Sequence, residues 1–73
     1  GVYSSTQVPL KITVSRDGGT LIAQAEGQPS FGLEATGKDR FAFAMAGIEM
    51  IFDPGKGTFT LNQGGGSFLF TRQ

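Results

Sequence analysis

Residues Thr20 to Ala35 read TLIAQAEGQPSFGLEA. Leu21, Ala23 and Ala25, then Phe31, Leu33 and Ala35, recur at every second position, the period of a strand with one buried face. Between them stands Gly27-Gln28-Pro29. Pro29 fixes its own φ and pushes Gln28 toward extended backbone, while Gly27 can take dihedrals closed to other residues. The stretch therefore predicts two strands, Thr20–Glu26 and Ser30–Ala35, reversed by a locally encoded turn.

The same plan extends in both directions. Upstream, Leu10–Arg16 (LKITVSR) turns Leu10, Ile12 and Val14 one way and Lys11, Thr13 and Ser15 to water. Asp17-Gly18-Gly19 is a hairpin signal. Val2–Ser5 is a short first strand, joined to the second through Gln7-Val8-Pro9. Downstream, Thr36-Gly37-Lys38 turns into Asp39–Met45, with Phe41, Phe43 and Met45 inward. Ala46-Gly47 leads to Ile48–Asp53, where Ile48, Met50 and Phe52 face the core. Pro54-Gly55-Lys56-Gly57 and Gly64-Gly65-Gly66 are the last two turns, before Thr58–Gln63 and Ser67–Arg72. Phe59, Leu61, Phe68 and Phe70 complete an inner set that holds all 7 Phe residues.

Evenly spaced strands with a turn after each predict an all-β, eight-stranded antiparallel up-and-down (meander) barrel and no substantial helix. Closure removes the free strand edges that a flat meander would expose. An eight-stranded barrel is just wide enough inside for side chains or one small ligand. The bulk of the Phe residues favours side chains. The 73 residues make one domain, residues 1–73, too small to bury much surface and so expected to gain from oligomerisation or docking. Gly1-Val2-Tyr3 already reads as strand, so the chain is expected to be a mature or excised domain.

Composition narrows the chemistry. There is no Cys and no His, which removes disulfides, thiol nucleophiles, imidazole bases and the usual zinc ligands together. Neither a cofactor nor a metal is expected, and the chain is read as non-catalytic. Glu26, Glu34, Asp39, Glu49 and Asp53 fall at strand ends or outward positions, whereas a glycosidase-like pair needs two acids across a cleft. Six basic residues balance six acidic ones and are spread singly, so no basic stripe exists for nucleic acid. No apolar run approaches the length of a membrane span. The triple glycine precedes a strand, not the helix a phosphate-binding loop requires. Asp17-Gly18-Gly19 lacks the later oxygen ligands of a calcium loop.

Two sets of residues carry functional expectations. Alternation puts Ile22, Ile51 and Leu69 on the outer face of three strands; scattered apolar residues are ordinary there, but clustered with Val8 they would make a docking patch. Gln24, Gln28 and Gln63, with Tyr3, lie near strand ends, where solvent exposure or turn bonding competes with a polar contact at the barrel mouth.

The opening G-V-Y, then L-x-A-Q-x-x-G-Q-P-x-F at Leu21, Ala23, Gln24, Gly27, Gln28, Pro29 and Phe31, then DRFAF and a closing TLNQGGGSFLFTR, together resemble a domain of unknown function found C-terminal to serine β-lactamase-like hydrolases and in related secreted bacterial proteins. The resemblance implies a small lipocalin-like barrel with an accessory role in an extracytoplasmic, periplasmic or secreted, protein. Its hydrolase relatives keep their catalytic Ser and Lys in another domain, so no catalytic residue carries over. The expectation is an interaction domain docking on a partner such as a hydrolase domain. The alternatives are a carrier of a small apolar ligand in the barrel interior and a homo-oligomer.

Overall fold

A computed structural model of the chain describes all residues, Gly1–Gln73. Eight strands follow one another: β1 (Val2–Ser4), β2 (Lys11–Asp17), β3 (Thr20–Ala25), β4 (Phe31–Gly37), β5 (Arg40–Phe43), β6 (Ile48–Asp53), β7 (Thr58–Gln63) and β8 (Gly66–Arg72). Each pairs antiparallel with its sequence neighbours, and β1 pairs with β8 to close the barrel. No helix is long and apolar enough to cross a membrane. The meander barrel expected from strand spacing is the fold observed.

The turns show why the chain reverses where it does. Between Gln63 and Gly66, Gly64 and Gly65 both take positive φ (59° and 81°), as a two-residue type I′ hairpin demands. Pro54–Gly57 and Ala44–Gly47 are four-residue loops of one design, each ending on a left-handed glycine, Gly57 (φ 65°) or Gly47 (φ 64°). In the second loop, Ala44–Ala46 forms a single 3-10 turn, and the Gly47 N–H donates to the Ala44 carbonyl at 3.1 Å.

That turn corrects one expectation. Met45 does not continue β5 inward; it is 92% exposed. The ladder of β5 and β6 ends at Phe43↔Ile48, so the alternation past Phe43 has no partner strand to enforce it. The other inner positions hold except Ala35, which is exposed near the end of β4. Ile12, Val14, Leu33, Met50, Phe59, Leu61 and Phe70 are buried, with Ala23 and Tyr3, and the remaining Phe residues pack half-buried against them.

The middle of the barrel is solid. Phe59, Phe70 and Met50 are its largest fully buried side chains. The Phe59 and Phe70 rings stack at 5.0 Å, while Tyr3 and Phe52 approach Phe59 at 4.8 and 5.2 Å. Aromatic pairs in this range add about 0.5–1.5 kcal/mol each beyond their burial. With the centre filled, the barrel interior opens at its two ends.

Candidate functional site: the uncharged end of the barrel

In a meander, alternate connections lie at opposite ends. The β2–β3, β4–β5 and β6–β7 connections share one end with Gly1 and Arg72, and they carry or adjoin Asp17, Lys38, Asp39, Asp53 and Lys56. The connections at the other end, Ser5–Leu10, Glu26–Ser30, Ala44–Gly47 and Gly64–Gly65, carry or adjoin two charged residues, Glu26 and Lys11. The molecule is thus polarised along its axis, rich in charged residues at one end and poor in them at the other, called here the uncharged end for its uncharged cup.

Each end holds a recess. The charged one, about 500 Å³, is lined by Arg16, Asp39, Asp53 and Arg72 around Tyr3, Phe41 and Phe52. Its acids and bases oppose one another within a single rim. No three His, Cys, Asp or Glu residues gather anywhere in a way that could hold a metal ion.

At the uncharged end is a cup of about 350 Å³ whose lining includes Leu10, Ala25, Pro29, Phe31, Phe43 and Ala46. Nothing charged lines it, and its polar side chains are Gln28 and Gln63. Phe31 and Phe43 form its aromatic wall, their rings stacked at 4.6 Å with an interplanar angle of 18°. The loop that supplies Ala46 to the cup also puts Met45 into solvent beside it. An apolar hollow with a few polar groups is the usual form of a binding site.

The residues singled out by sequence are divided by the fold. Gln28 and Gln63 meet at the cup. Gln24 lies on the outer wall instead and steadies the turn that carries Gln28, its Nε2 donating to the Gln28 carbonyl at 3.0 Å. Tyr3 is separated from all three: its ring is buried in the core and borders the recess at the charged end.

The outer patch does not assemble as expected. Ile51 and Leu69 flank Thr60 in one row across β6, β7 and β8, but Ile22 is on β3, on the far side of the barrel from β7. Val8 turns inward and packs against the core. Only Ile51 and Leu69 share a groove, and Asp39, Asp53 and Lys56 border it.

Met45, Phe31, Phe43 and Ala46 were missed as site residues, because each reads as ordinary core or turn in a strand-by-strand pass. The signal that finds them is the charge on alternate connections, which becomes meaningful once the strands are folded into a meander. Searches of family models, curated proteins and solved structures returned no match to the chain.

Proposed function

We propose that the protein is a non-catalytic interaction domain that docks on a partner through its uncharged end. The observation that carries this reading is the axial separation of charge, which leaves one end with an apolar cup and a solvent-facing Met45 beside it. Burying that end costs little desolvation of charge, whereas burying the other would strip water from several ionised groups. The accessory role implied by the resemblance, in an extracytoplasmic protein with a hydrolase-like partner domain, is compatible with this use of the end.

Docking accounts for the site better than transport of a ligand. A carried ligand is normally enclosed over most of its surface. Here the solid centre of Met50, Phe59 and Phe70 keeps the cup at the mouth, and Met45 adds apolar surface outside it that a small guest would leave uncovered. One observation supports ligand binding as a second reading: the cup, at about 350 Å³ and walled by Phe31 and Phe43, has room for a small apolar molecule.

The test is an NMR titration with N-acetyl-methioninamide and N-acetyl-phenylalaninamide, each an apolar side chain between two uncharged amides. Backbone shifts should gather at Leu10, Ala25, Phe31, Ala46 and Gln63. Shifts along Ile51, Thr60 and Leu69, or none, would overturn the reading. Native mass spectrometry separates the second reading, since a carrier retains a reproducible added mass that is lost on denaturation.

A further inference from the structure

Resting on that reading of the uncharged end, we propose that its partner is a second copy of this chain, joined mouth to mouth about a two-fold axis, with Met45 of each copy seated in the cup of the other.

A two-fold interface uses the same patch twice, so the patch must carry both halves of each contact. This end does. Met45, 92% exposed on the Ala44–Ala46 turn, is a knob, and the neighbouring cup of about 350 Å³ is a hole. Methionine suits the fit, being unbranched and flexible, and its sulfur makes favourable contacts with aromatic rings. Phe31 and Phe43 supply such rings in the cup wall. The cup's polar side chains are self-complementary as well, since the carboxamides of Gln28 and Gln63 both donate and accept.

Electrostatics favours this pairing over others. In a two-fold contact only residues at the axis meet their own copies, but every charge that the interface buries must give up its water. The cup end carries or adjoins two charged residues, Glu26 and Lys11, whereas the other end would have to desolvate Asp17, Lys38, Asp39, Asp53 and Lys56. The contact is small. The molecule's two largest extents are 29 and 26 Å, so an end face offers no more than about the 800 Å² per partner of a standard interface. The dimer is accordingly weak and concentration-dependent.

The experiment combines sedimentation velocity, up to about 1 mM protein, with ¹³C-methyl spectra of the two methionines. The expected result is a monomer–dimer equilibrium in which the Met45 methyl moves upfield with concentration, under the ring currents of Phe31 and Phe43, while that of buried Met50 stays put. Met45→Glu should weaken association at least tenfold without lowering the melting temperature, and Met45→Leu should retain it. A monomer at every concentration, a dimer whose Met45 methyl does not move, or a Met45→Glu protein that associates like its parent would each overturn the proposal. If the chain is monomeric but the acetylated amides still shift the cup residues, the second copy is excluded and docking through this end stands. If the amides leave the cup unmoved as well, both readings fall.

Discussion

The backbone N–H of Leu69 donates to the side-chain oxygen of Gln7 at 2.7 Å, across 62 positions of sequence. Strand β1 stops at Ser4, opposite Thr71, while β8 continues back to Gly66. Gln7, in the loop after β1, thus supplies with its carboxamide the acceptor that a longer β1 would have supplied with its backbone. The seam of the barrel is closed partly by a side chain.

Gln7→Ala removes this acceptor and leaves the Leu69 N–H to water. The site is exposed, so the cost should be about 0.5–1 kcal/mol. For a domain of this size each kcal/mol is worth roughly 4–8 °C in melting temperature. Hydrogen exchange should quicken at Leu69 and be unchanged at Phe59; equal acceleration at both would mean that the bond supports the whole barrel.

Core substitutions should separate by depth. Phe59 is 1% exposed and touches Tyr3, Phe52 and Phe70, so Phe59→Ala should cost about 3–5 kcal/mol, enough to unfold most of a marginal domain. Phe43 is half-buried at the rim of the cup, and Phe43→Ala should cost clearly less. Urea titrations of the two variants check the order, and a reversal would place the centre of the core at the wrong end.

Asp39 is the one residue other than glycine with positive φ, at 59°. Aspartate and asparagine tolerate this conformation, whereas a β-branched side chain is strained in it. Asp39→Asn should be nearly neutral, and Asp39→Val should lower stability by about 1–3 kcal/mol, measured by thermal melting.

Outer-wall changes should be mild. Leu69 is 51% exposed, and Leu69→Asp should leave both the fold and any end-to-end association intact. The Arg40–Glu49 pair, 3.7 Å apart with side chains 54% and 39% exposed, is a surface ion pair, and Glu49→Gln should change stability by less than about 1 kcal/mol. Glu49 Oε1 also accepts from Asn62 Nδ2 at 3.3 Å, a bond that glutamine can keep. A large loss in either variant would show that this wall is covered in solution.

Strand positions were legible in the sequence because period-two alternation and turn chemistry agreed on them. The chain reverses where expected but one residue early: the Gln28 N–H donates to the Ala25 carbonyl at 3.0 Å, so Glu26 and Gly27 (φ 77°) make the turn, and Gln28-Pro29 lead out of it. Met45 was misread because alternation alone does not say where a ladder ends; the left-handed Gly47 after it does. Ala35, expected inward, is exposed where β4 shifts register between Ala35 and Gly37 near the open charged end. Tyr3 lay in a strand too short to show a period, and only its pairing with Ile12 turns the ring into the core. The cup was legible in part: Gln28 and Gln63 were singled out, but their convergence with Phe31, Phe43 and Ala46 depends on curvature that no local pattern encodes.

Every strand pair except β1 with β8 joins neighbours in the chain. Hairpins of that kind can form one after another, each closing a short loop, whereas the final seam brings together residues as distant as Tyr3 and Arg72 and bears the largest loop-closure entropy. Folding should therefore run as a zipper that closes last at its weakest seam. Substitutions along that seam should then speed unfolding while barely slowing refolding, which makes the junction of first and last strands the clasp that sets how long the closed barrel lives.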